Sequence, residues 1–170
     1  MFSVGQNVVF GTDGVCVIKD KIWMKIDGTE REYYVLCPAY DEKSTIYSPV
    51  DNGGQPSRIR AVITEEEIND LLKDVSEQKM KWIADDNDRK ELCDSIIKSG
   101  DRKALMLMIE MLYVRREEQK ANKRRFRIVD DNYLKKAESI LNCEFAFVLG
   151  IAQEDVPAYI VERIKSCKGE

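Results

Sequence analysis

The sequence predicts an α+β protein: an N-terminal Tudor- or SH3-like small β-barrel followed by an all-α helical domain of about five helices. Three observations carry this. The first sixty residues alternate short β-branched and aromatic segments with turn residues. After Thr64 the apolar period becomes helical. Between the two patterns, Thr64-Glu65-Glu66-Glu67 reads as a capping box, the signature of a helix start. The chain therefore divides into residues 1–62 and residues 63–170.

The strands follow from composition and punctuation. NVVF (Asn7–Phe10), GVCVIKDKIWMKI (Gly14–Ile26), EYYVLCP (32–38) and STIYSPV (44–50) are separated by the turn signals GTDG, DGT and DEK. A short fifth strand at 59–62 follows the loop DNGGQPS. Five short strands in so few residues close best as a small, strongly bent barrel with exposed edges, a form suited to docking.

The helices follow from periodicity and caps. Ile68, Leu71, Leu72 and Val75 form one stripe behind the capping box. A second helix fits Asp86–Ser99, with Leu92, Cys93, Ile96 and Ile97 inward and Gly100 as terminator. Asp101 caps a third, whose middle, ALMLMIEMLYV (104–114), is apolar on nearly every side and belongs at the centre of a bundle. Its methionines read as core filling. The fourth spans 131–149, with Leu134, Ala137, Ile140, Leu141 and Phe145 on one face and Gly150 at its end. The last starts near Asp155, with Pro157 tolerated in its first turn.

Composition narrows function. With 44% apolar and 34% charged residues the chain reads as soluble and globular, and no apolar run approaches the roughly 18 residues that cross a bilayer. The opening MFSVGQNVVF carries no basic leader before an apolar stretch, so no secretory signal and a cytoplasmic location are expected. The five cysteines, Cys16, Cys37, Cys93, Cys143 and Cys167, lack metal-ligand spacing and read as reduced thiols. There is no histidine, which removes the usual proton-transfer side chain and every Ser-His or Cys-His nucleophile pair. The glycines show no phosphate loop. Asp85-Asp86 and Asp130-Asp131 read as residues preceding helices rather than an acid/base pair. No catalytic residue, cofactor or metal is expected, and an enzyme using paired carboxylates is disfavoured.

Binding features remain. Net charge is −4, yet RREEQKANKRRFR (115–127) holds seven basic and two acidic residues. That run reads either as a basic patch or as the solvated end of a helix and its loop. Trp82 lies in QKMKWIADD, between a lysine pair and an aspartate pair. It reads either as an anchor packed beside the helical domain or as an outward-facing tool.

The segments Val4-Gly5, Val8-Val9-Phe10, Gly14-Val15-Cys16-Val17-Ile18 and Glu32-Tyr33-Tyr34-Val35-Leu36, with Pro49 and Asn52, come in a recognisable order. SGD at 99–101, YVRREE after the long apolar helix, and LKKAESILNCEFAFVLGI at 134–151 complete it. In order and spacing these resemble the CarD/CdnL family of bacterial RNA-polymerase-binding transcription regulators. The barrel is also similar to the polymerase-binding module of the transcription-repair coupling factor. The resemblance implies a Tudor-like domain that docks on the RNA polymerase β subunit, partly by strand pairing. On that ground the docking residues are Glu32, Tyr33, Tyr34, Val35, Thr45, Ile46, Tyr47 and Pro49. It further implies a helical domain at promoter DNA, at the upstream edge of the transcription bubble. There Trp82 wedges at the minor groove, Lys79, Lys81, Arg89 and Lys90 hold phosphates, and the lifetime of the open complex changes. The chain departs from the family pattern at Met24 and Tyr47, which fall where polymerase-facing arginines are known, and at Asp85, Asp86 and Asp88 beside the tryptophan. Those acids motivate an alternative, a polymerase-binding protein–protein adaptor without direct DNA contact.

Overall fold

The computed structural model describes residues 1–41, 43–51, 53 and 58–168, and the chain divides into two units, Met1–Val62 and Ile63–Glu170. Glu42 of the expected DEK turn, and Asn52 and residues 54–57 of the DNGGQPS loop, lie outside the described residues.

In the first unit, alternating apolar residues produce five antiparallel strands: β1 (Asn7–Phe10), β2 (Gly14–Ile26), β3 (Thr29–Pro38), β4 (Ile46–Pro49) and β5 (Ile59–Ala61). They form one sheet in the order β4-β3-β2-β1-β5, the Tudor-like arrangement expected. β2 is long enough to serve two partners. Its residues 14–17 pair with β1, while the strand from Cys16 to Ile26 pairs with β3. The register shifts by one between Ile18 and Asp20, so Lys19 forms a β-bulge. Beyond it, residues 20–26 pair only with β3 and form a two-stranded arm. Val8, Phe10, Cys16, Ile18, Tyr34, Leu36 and Ile59 make the core of this unit, with Phe2, Ile46 and Val50 packed against it.

The second unit is helical: α1 (Glu65–Ser76), α2 (Asp86–Ser99), α3 (Arg102–Ala121), α4 (Ile128–Leu149) and α5 (Val156–Lys168), with a single 3-10 turn at Gln153–Asp155 before α5. The starts of the first three are written in their caps. Thr64 and Glu67 satisfy each other's amides reciprocally, at 3.2 and 2.8 Å. Asp85 accepts from the Asn87 and Asp88 amides, and Asp101 from the Ala104 amide. Gly100 and Gly150, both at φ 65°, end α2 and α4 in the left-handed conformation that glycine adopts without a Cβ clash.

α3 belongs to two cores, as its all-round apolar surface predicts. One cluster joins Cys93, Ile96 and Ile97 of α2 to Leu105, Met108, Met111 and Leu112 of α3 and to Leu134, Ala137 and Ile140 of α4. The other joins Ile68, Leu72 and Val75 of α1 to Met106, to Leu141, Phe145 and Ala146, and to Val156. The α3 methionines at 106, 108 and 111 are buried core residues.

Two features depart from the expectation. α4 begins at Ile128, so Asp130 and Asp131 lie inside its first turn rather than before it, and Arg127 at the cap makes no side-chain capping bond. Glu144, in the apolar stretch LNCEFAFVL, is fully buried. Its carboxylate takes a bidentate pair of bonds from Arg102 (3.0 and 2.6 Å) and one from the Ile63 amide (3.0 Å). This pins the entry of the helical unit to the starts of α3 and the end of α4.

Candidate functional site

The first candidate is the open edge of the sheet. Antiparallel strands alternate between residues that exchange backbone bonds with the neighbour and residues whose amides point away. Val50 donates to the Glu32 carbonyl at 2.9 Å. Counting back along the register, Ser48 opposite Tyr34 and Ile46 opposite Leu36 exchange bonds with β3. Tyr47, and Thr45 just before the strand, therefore turn their N–H and C=O outward, and Pro49 turns its carbonyl outward. β4 is the last strand on its side of the sheet, so these groups form an edge that is unpaired among the described residues.

Beside that edge the outer face carries a group of apolar side chains, bordered by Asp20 opposite Val35 and Arg31 opposite Met24. Val35 lies opposite Tyr47, Tyr33 opposite both Pro49 and Ile22, and Met24 opposite Arg31, all on one face. Tyr33, Val35, Ile22 and Met24 are half-exposed, Thr45 is exposed and Tyr47 is 51% exposed. Five of the residues named from sequence thus converge on this edge and face: Tyr33, Val35, Thr45, Tyr47 and Pro49. Glu32 and Ile46 point to the opposite face, where Ile46 packs on the core. Tyr34 requires a correction. Its ring is buried in the core and its hydroxyl accepts from the Phe2 amide at 3.1 Å, so it is not a contact side chain. Ile22 was not singled out from sequence, and Met24 was noted only as standing where the family carries an arginine, because their placement on this face depends on the bulge at Lys19. Trp23 on the arm is 66% exposed and lies opposite Glu32, on the other face of the sheet from Tyr33 and Val35.

The second candidate surrounds Trp82, in the segment between α1 and α2. The ring is half-buried and packs against the α2–α3–α4 core. Two guanidinium groups lie over it, Arg89 at 4.4 Å and Arg115 at 5.1 Å from the ring centroid. The anchoring reading therefore describes much of the ring. Arg89 also needs correction as a phosphate contact. It is buried and bonds bidentately to Asp130 (2.9 and 3.2 Å), to Asp86 (2.7 Å) and to the Ile83 carbonyl (2.8 Å). Burial acts to lower its pKa, but the hydrogen bonds to Asp130 and Asp86 outweigh that and hold it above the ordinary value. Its donors are committed inward, where they fix Trp82 and close the start of α4 onto α2.

What sequence reading kept apart, the fold joins. Trp82, Arg115, Arg125 and Arg127 line one polar cavity of about 280 Å³ together with Arg89, Asp86 and Asp130. Arg89 is matched by Asp130, Arg127 bonds Asp86, and Arg115 pairs with Glu118 at 3.1 Å. Arg125 is exposed and makes no ion pair with any described residue. Lys79, Lys81 and Lys90 are likewise exposed and unpaired among the described residues. The acidic segment is less repulsive than its sequence suggests. Asp85 is used as a helix cap, and hydrogen bonds from Arg127 and then Arg89 hold the Asp86 carboxyl below its ordinary pKa. Of the three acids that follow Trp82, Asp88 alone keeps an uncommitted side chain among the described residues.

Among the described residues no group of three His, Cys, Asp or Glu side chains is placed to hold a metal ion, and no helix is long and apolar enough to cross a membrane. Cys16, Cys37 and Cys93 are buried, Cys143 is half-buried and Cys167 exposed, all as free thiols. Residues 2–63 match the family model of the CarD-like/TRCF RID domain. No curated protein matches the chain.

Proposed function

We propose, from the match of residues 2–63 to the CarD-like/TRCF RID domain, a polymerase-interacting module, that this chain is a non-enzymatic bacterial transcription regulator acting in the cytoplasm. The barrel binds the RNA polymerase β subunit by adding a strand of the partner to the β4 edge, so that main-chain bonds supply affinity. Tyr33, Val35, Tyr47 and Pro49, with Ile22 and Met24, supply the side-chain contacts. The family match is the observation that carries this reading, and the outward amides of Thr45 and Tyr47 support the β4 edge as the place for the partner strand.

The helical unit then contacts promoter DNA with the cationic surface around Trp82. The exposed part of the ring serves as a fixed platform at the minor groove, held by Arg89, rather than as a freely swinging wedge. Lys79, Lys81, Lys90 and Arg125 hold phosphates. Tethering by the polymerase raises the effective concentration of this weak contact, which lets an acidic protein work on DNA. The consequence is a changed lifetime of the open complex.

Two experiments test the two halves. Tyr47→Pro removes the outward amide and its side chain without touching a β3 bond, a position where an edge strand tolerates proline. It should abolish co-purification with the polymerase β subunit, and undiminished co-purification would refute edge docking. For DNA, replacing Arg125 with Ala should flatten the salt dependence of promoter-complex binding by about one charge. The half-buried state of Trp82 favours one competing reading, an adaptor that keeps the polymerase tether without DNA contact. An unchanged salt slope and an unchanged open-complex lifetime for the Arg125 variant and for Trp82→Ala, both folded, would decide for the adaptor.

A further inference from the structure

We propose that the cleft bounded by α1, α3, α4 and α5 binds a small organic cation with an apolar body, at a site independent of both surfaces above. The cleft has a volume of about 660 Å³ and its walls are apolar, with Val75, Met106, Ile109, Leu141, Ile160 and Ile164 among the lining residues. That volume suits a drug-sized ligand, for which sites of about 300–1,000 Å³ are usual.

The charge on the walls selects the ligand's sign. Glu110 of α3 and Glu138 of α4 line the cleft, are half-buried, and make no hydrogen bond or ion pair with any described residue. Glu162 adds a third carboxylate at the α5 rim, against a single exposed lysine, Lys165. A carboxylate held half out of water without a partner is a standing cost. Burial accordingly holds the Glu138 carboxyl above its ordinary pKa, although Arg116 acts in the other direction. An ammonium or guanidinium head brought in on an apolar body answers both features at once. The body covers the aliphatic walls, and the head supplies the charge that Glu110 and Glu138 lack. A neutral or anionic body of the same shape gains the first term and forfeits the second.

The test uses the isotope-labelled full chain and two probes that share one body, 4-phenylbutylamine and 4-phenylbutyrate. The amine should shift the backbone resonances of Ile109 and Leu141 saturably, and the acid should not. Glu138→Gln, which keeps the shape and removes a strained charge, should weaken the amine at least fivefold while the fold is retained. Ala158→Trp fills the cleft from the exposed α5 wall and should abolish the shifts, with a thermal melt confirming that the helices remain. Equal binding of the two probes, binding of neither, or amine binding that survives Ala158→Trp would overturn the proposal. So would a dimer in light scattering that Ala158→Trp dissolves, since the cleft would then seat a second copy of the chain.

Discussion

Glu144 gives the sharpest stability prediction. The perturbation is Glu144→Gln, which preserves volume and leaves an oxygen able to accept from the Ile63 amide, but removes the charge facing Arg102. The amide group that replaces one oxygen then turns donors toward a guanidinium. Breaking a buried pair by removing one partner costs about 3–5 kcal/mol, because the remaining charge is left uncompensated. Arg102 keeps 24% of its side chain exposed, so water can partly replace the lost carboxylate, which sets the expectation at the low end, about 3 kcal/mol. For a helical unit of roughly a hundred residues, with an unfolding entropy of about 2.1 cal/mol/K per residue, this corresponds to a Tm lower by about 13 °C. Differential scanning calorimetry on the full chain, read at the helical transition, measures it. The double replacement Arg102→Met with Glu144→Leu should recover part of the loss, limited by the Ile63 amide left without an acceptor. A Tm drop under about 4 °C for Glu144→Gln, equivalent to less than about 1 kcal/mol, would refute the pinning role.

Two further predictions follow from the site around Trp82. Arg89→Leu strands a buried Asp130 and should cost about 3–5 kcal/mol, with Trp82 emission moving to longer wavelength in a Trp23→Phe background; unchanged emission would show that Arg89 does not hold the ring. The pH dependence has a definite sign. Asp86, held below its ordinary pKa by Arg127 and then Arg89, and Glu67, held low by the Thr64 amide and then its hydroxyl, bind fewer protons folded than unfolded. Their stabilisation is thus present above about pH 4 and lost as the pH falls through the folded values, and Asp86→Asn should flatten melting curves across that acid range.

What could be read from sequence was local. β2 runs from Gly14 to Ile26 because glycine-bearing turns bracket it, and α2 from Asp86 to Ser99 because Asp85 and Gly100 cap it. The central place of α3 followed from residues that are apolar on every side. What stayed hidden was pairing over long sequence distances. Asp130 looked like a residue preceding a helix because its partner, Arg89, lies on another helix, and the same partner takes Arg89 off the surface. Glu144 stood out as a charge in an apolar run, yet nothing local shows that it faces Arg102 and Ile63. The pleat sorts Tyr33 and Val35 outward from Tyr34 inward, and alternation alone would have predicted that split. Ile22 and Met24 join the outer face only once the bulge at Lys19 is known. Trp82 and the basic run 115–127 were each visible, but their shared cavity is a product of the tertiary fold.

The central claim is that a partner strand pairs with β4, and amide hydrogen exchange in the presence of the polymerase β subunit addresses it residue by residue. The amides of Ile46 and Ser48 already face β3, so they should be slow with or without the subunit. Those of Thr45 and Tyr47 should exchange fast in the free protein and become slow on binding. Binding that leaves Thr45 and Tyr47 fast, with protection appearing elsewhere on the chain, would contradict strand pairing at this edge.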